Sequence, residues 1–169
     1  MVLGVLALAL LVYAALHDFA ARTIPNWLPL CLLADGAAWR IADHSLLPAA
    51  AVAGFTFAVL FIIWVLGAIG GGDVKLWSAT ALLIPPRLQP ELDFFLQVFV
   101  IGGLLALVYL GLWLVLPKPR PAPLARARGL VKRALRAEAW RIGRRGPLPY
   151  AFAISASAII TLLPFSLTH

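Results

Sequence analysis

Two aspartates are the strongest candidates for chemistry in this sequence. Asp18 lies in "HDFAARTIPNW", and Asp73 follows three glycines in "AIGGGDVKLWS". Each sits between long apolar runs in a chain that is otherwise sparing with charge. Ionisable groups at membrane depth are costly and are functional candidates for that reason. Two carboxylates held close together cannot both ionise easily, so they share a proton and titrate as a unit. Such a pair can hydrolyse an amide. The ionised member takes a proton from water, and the water attacks the carbonyl carbon. The protonated member donates a hydrogen bond to the developing oxyanion and helps protonate the leaving nitrogen. This chemistry requires no metal ion, cofactor or covalent nucleophile.

Gly70, Gly71 and Gly72 would let an extended peptide pass close to the backbone beside Asp73, and they permit backbone angles that other residues resist. At the start of a helix, Asp73 gains from the dipole, and Lys75 nearby acts in the same direction. A structural reading accounts for the same residues: glycine punctuation, a capping aspartate and a snorkelling lysine. Sequence chemistry alone leaves both open.

The elements that must position these residues are membrane helices. Of 169 residues, 63% are hydrophobic and only 12% charged, against about 25% in an ordinary soluble domain. The mean hydropathy is +0.96. Such a chain calls for lipid as its solvent, and its formal charge of +7 bears first on membrane topology rather than on nucleic acid. A spanning helix takes about 20 apolar residues. Six stretches qualify or nearly so: 1–17, 26–42, 49–69, 74–86, 94–116 and 148–167. The fourth is short and ends at Pro85-Pro86, where proline disfavours helical geometry in the preceding residue. Residues 1–16 carry no lysine or arginine, so they read as a retained transmembrane helix rather than a secretory signal. The single cysteine, Cys31, excludes an intrachain disulfide and a cysteine-cluster metal site. The expected fold is therefore all-α: a polytopic integral membrane protein of about six helices, forming one membrane-embedded domain over residues 1–169.

Six helices distribute the basic residues unevenly. One side receives Arg22, Lys75 and the ten lysines and arginines of the loop 117–147; the other receives Arg40 and Arg87. Basic loops stay cytoplasmic, so the twelve-residue side is inside and both termini face outward. The loop 117–147 also shows helical spacing of Leu124, Val131, Leu135 and Ile142, with Trp140 nearby. That pattern suggests a basic interfacial helix held on anionic lipids, or else a docking site for an acidic partner. On this topology Asp18, at the inner end of helix 1, and Asp73, at the start of helix 4, share one membrane face at similar depth.

"GGGDVKL" resembles the G-x-G-D-x-K-L signature of type IV prepilin peptidases, which are membrane aspartic proteases. "DFAARTIPNWL" is similar to the other active-site segment in short members serving Flp (tight-adherence) pili, and "GPLPYAFAI" to the Pro-Tyr segment of the last helix. The three segments occur in the family's order across nearly the whole chain. The resemblance implies Asp18 and Asp73 as the catalytic pair, with Gly70, Gly71, Gly72, Lys75, Arg22, Pro25, Asn26, Pro149 and Tyr150 in support. It implies removal of a short basic leader from membrane-anchored prepilin or pseudopilin precursors, on the cytoplasmic side of the inner membrane. Longer members carry a cysteine-rich insert and also methylate the new N-terminus; no such insert is present, so the resemblance implies peptidase activity and leaves methyl transfer open. Presenilin-type proteases share G-x-G-D, but their first aspartate normally follows a tyrosine, whereas His17 precedes Asp18 here.

Other residues have plainer readings beside their functional ones. His17 ends helix 1 as an interfacial polar group or relays a proton. Arg22 pairs with a carboxylate or anchors the inner face. Pro25 and Asn26 start helix 2 by turn and cap chemistry. Asp35 is a lone carboxylate inside helix 2, assigned a structural role. Tyr150 braces the site by hydrogen bonding or anchors the interface, while Gly102-Gly103 and Gly111 are helix-packing positions. Two other functions remain open on sequence alone. One is a non-catalytic membrane component of a pilus or secretion machine, in which the aspartates make a structural contact. The other is a small proton-coupled transporter, which would show repeats or broken helices at the midplane.

Overall fold

The structure is a computed structural model that describes residues 2–115 and 148–166. The expected basic loop and interfacial helix at 117–147 lie outside these residues. Among the described residues there are six helices and no strand: α1 (Val2–Ala21), α2 (Trp27–Ala42), α3 (Leu46–Val65), α4 (Gly71–Leu83), α5 (Leu88–Val115) and α6 (Tyr150–Ser166). The protein is an all-α polytopic membrane protein. Three of the helices, α1, α3 and α5, are long and apolar enough to cross a bilayer by themselves.

The described parts of Met1–Gly102 and of Pro149–His169 form one compact unit, and the half of α5 from Gly103 onward belongs to a second. Within the first unit α4 is central. It packs against α2, α3 and α6, while α1 packs against α6 and α2. From Leu76 to Ile84 every residue of this segment is buried. With 13 residues α4 is about 20 Å long, well short of the roughly 30 Å hydrocarbon core. Its neighbours surround it with protein, so its short length meets little lipid. The outer helices show the reverse pattern. Phe55, Ile62 and Val65 on α3, and Leu96, Phe99 and Val100 on α5, are large, apolar and exposed, as lipid-facing surfaces require.

Helix ends follow local chemistry. The end of α3 is a Schellman turn, with Gly67 N–H donating to the Trp64 carbonyl and Ala68 N–H to that of Ile63. Gly67 takes the left-handed conformation there, with φ of 77°. The end of α2 repeats this with His44, at φ 56°, and α1 ends on Arg22, also at 56°, whose N–H donates to the Asp18 carbonyl at 2.8 Å. Several boundaries differ from the sequence expectation: α3 and α4 each begin three residues earlier than expected and end three or four residues earlier. Helix 1 runs on to Ala21, so Asp18 lies inside its last turns rather than beyond it. Helix 5 begins at Leu88 rather than at 94, because proline is accepted in a first turn and Glu91 suits the positive end of a helix.

Candidate active site

Asp18 and Asp73 come together in the structure. Asp18 projects from the end of α1 and is 6% exposed; Asp73 projects from the first turn of α4, close enough for the two carboxylates to interact electrostatically. Each is held by the start of a helix. Asp18 Oδ2 accepts a hydrogen bond from the Ala151 N–H at 3.1 Å, with the Phe152 N–H alongside. Both lie in the first turn of α6, where the dipole favours an anion, and the Phe152 N–H also donates to the Pro149 carbonyl at 3.2 Å. Asp73 folds back over its own helix start and accepts from the Gly70 N–H, as the third residue of a capping box does.

The three glycines have a reason different from the expected one. Gly70 has φ −76° and ψ 140°, angles open to any residue, and positive φ among the glycines occurs only at Gly67 within the described residues. Close packing explains the triplet instead. A Cβ on Gly70 would lie 2.8 Å from Asp73 Oδ2, one on Gly71 3.1 Å from the Trp64 indole nitrogen, and one on Gly72 3.3 Å from Ile24 Cβ. Side chains here would displace the carboxylate or separate α4 from the segment that follows α1.

That segment, residues 22–26, clasps the two aspartate-bearing elements. The His17 ring nitrogen Nδ1 lies 2.8 Å from the Thr23 carbonyl, folding the chain back along α1. Ile24 packs on Gly72, and Lys75 Nζ donates to Asn26 Oδ1 at 3.0 Å. Asn26 stands at the N-cap of α2 but makes no side-chain capping bond, so the cap expected there is not formed. Its oxygen serves the charged lysine, a stronger donor than a backbone amide. Pro25 begins the turn through its carbonyl, which accepts from Leu28 N–H. Arg22 lies near enough to Asp18 to act on it electrostatically.

Pro149 is fully buried before α6, and Tyr150 follows with its phenol in electrostatic contact with Asp73. The Tyr150 ring lies 6.3 Å from that of Trp77. Sequence reasoning missed Ile24, Trp64 and the Ala151 and Phe152 amides. Only the proline ahead of α6 hinted that a helix start would be aimed inward.

Asp35 lies apart from this site. It is buried on α2, and among the described residues neither carboxylate oxygen has a hydrogen-bond partner. Arg40, counted from the sequence as a basic residue of the outer side, is only 3% exposed. It donates to Asp43 and, at 2.6 Å, to the Leu83 carbonyl at the end of α4.

The geometry thus joins two carboxylates from separate membrane helices beside a third helix start. Comparison with family profiles gives a match to the type IV leader peptidase family over residues 5–115. The chain belongs to that family. The matched range includes both aspartate segments and stops short of Pro149 and Tyr150. No curated protein and no solved structure matches significantly. Membership gives the general function, that of a membrane-embedded type IV leader peptidase acting on prepilin-type substrates.

Proposed function

We propose that this leader peptidase is an aspartic endopeptidase in which Asp18 and Asp73 form the catalytic pair, cleaving Flp-type prepilin precursors at the cytoplasmic face of the inner membrane. The observation that carries the reading is the meeting of these two carboxylates, one from the end of α1 and one from the start of α4. The pair holds one proton between its members. The ionised carboxylate removes a proton from water as the water oxygen bonds to the scissile carbonyl carbon. The protonated carboxyl stabilises the resulting oxyanion. Collapse breaks the C–N bond, and the proton taken from water goes to the leaving amine. Arg22, Lys75, Asn26 and Pro25 hold the loop that aims Asp18, and the glycines hold Asp73. The twelve basic residues that share a side with the pair support its cytoplasmic placement, with both termini outside and the 117–147 loop against anionic lipid.

A structural reading has its own support, because Asp18 also caps α6. Asparagine separates the two. In both Asp18→Asn and Asp73→Asn a carboxamide oxygen still accepts the amide hydrogen bond, so the fold is retained while the shared proton is lost. Co-expression with a pilin precursor, read as a mobility shift on leader removal, should show no processing by either variant, with normal amounts of folded protein. Processing at the wild-type rate by either would leave the pair a structural contact.

A further inference from the structure

Tyr150 occupies an unusual position between the two aspartates. It opens α6, so the amides just after it bind Asp18, while its own phenol lies within electrostatic range of Asp73. Tyr150 therefore adjoins both carboxylates, through the residue after it on one side and its own side chain on the other. The phenol is confined. The Trp77 ring lies on one side of it, and α5 passes close by at Gly102. A Cβ on Gly102 would stand 3.2 Å from both Tyr150 Cζ and the phenol oxygen and 3.3 Å from Cε2. Such contacts are tighter than most real Cβ contacts, so the ring would have to give by a few tenths of an ångström. Gly102 is itself buried, whereas a Cβ on its neighbour Gly103 would meet nothing within 4 Å. The two adjacent glycines, alike in sequence, are thus different in kind.

We propose that Gly102 is a positioning residue that seats the Tyr150 phenol against α5, so that its O–H serves the aspartate pair as a hydrogen-bond donor. The inference rests on the dyad reading above. A phenol is neutral across the working pH range, so it can donate to a carboxylate or an oxyanion without adding charge to the site. Its value depends on placement, since a hydrogen bond weakens as its length and angle depart from the optimum, and most where donors are preorganised.

The test is a double-mutant cycle on purified, folded enzyme with a precursor substrate. Tyr150→Phe removes only the hydroxyl and should lower kcat about tenfold or more with KM unchanged, the effect of one lost hydrogen bond to a charged group. Gly102→Ala should lower kcat comparably when Tyr150 is intact. Combined with Tyr150→Phe it should cost no more than about twofold further, because no hydroxyl remains to misplace. Gly103→Ala should match wild type. Wild-type kcat in Tyr150→Phe, or an equal loss from Gly102→Ala in both backgrounds, would overturn the proposal. Failure of the dyad reading itself would show separately, as cleavage by Asp73→Asn.

Discussion

The most exacting residues in the site are glycines, and each is required for a different reason. Gly70 is ordinary in backbone and crowded in space, with a potential Cβ 2.8 Å from Asp73 Oδ2. Gly67 is the opposite, with a φ of 77° and open space around it. Alanine should therefore give opposite signatures at the two. Gly70→Ala keeps allowed angles but pushes the carboxylate aside, so leader removal should fall tenfold or more, a loss of about 1.4 kcal/mol or greater, with thermal stability nearly unchanged. Gly67→Ala strains the Schellman turn and should lower stability by about 1 kcal/mol while the folded enzyme cleaves normally. Parallel measurements of unfolding midpoint and cleavage rate check both; a normal rate in Gly70→Ala would detach Asp73 from its observed position. At this scale the sequence made the aspartates and the triplet legible, because acids among apolar runs are conspicuous. It did not make legible why the glycines are small, since Trp64 and Ile24 reach them only through folding.

At the scale of elements, α4 needs support at both ends. Its start is fixed by the Gly70–Asp73 contact, by Ile24 and by Lys75 with Asn26; its far end is fixed by Arg40, which caps the Leu83 carbonyl and pairs with Asp43. Chain continuity cannot supply that cap, because Ile84 is extended and Pro85-Pro86 ends the helix. Glu91 lies within electrostatic range of Arg40 and ties the start of α5 into the same cluster. Arg40→Met retains most of the apolar stem but loses these donors. It should cost about 2 kcal/mol, or about 4–8 °C in unfolding midpoint in detergent. An unchanged midpoint would show that α4 is held without it. The positions of all six helices were legible from their apolar runs. Their ends were displaced where α1 runs on to the left-handed Arg22 and where Pro90 is accepted in the first turn of α5, choices settled by local contacts.

At the scale of the molecule, the proposed sidedness can be tested loop by loop. Thr23 and Ala68 lie at the end of the bundle that carries the aspartates, and His44 and Arg87 lie on loops at the opposite helix ends. In a Cys31→Ser background, single cysteines at Thr23 and Ala68 should react with an impermeant maleimide only from the cytoplasmic side, and those at His44 and Arg87 only from the other. Labelling of Thr23 and Ala68 from opposite sides would dismantle the active site. Hydrophobicity and the uneven basic residues suggested the helices and the proposed sidedness, because the cost of moving charge or bare backbone through lipid depends on composition and order along the chain. They could not show that α6 supplies the amides for Asp18, that Tyr150 rests on Gly102, or that Arg40 closes α4. Those contacts join residues far apart in sequence. They depend on helix rotation and depth, which are decided by how side chains from several helices fill a shared interior.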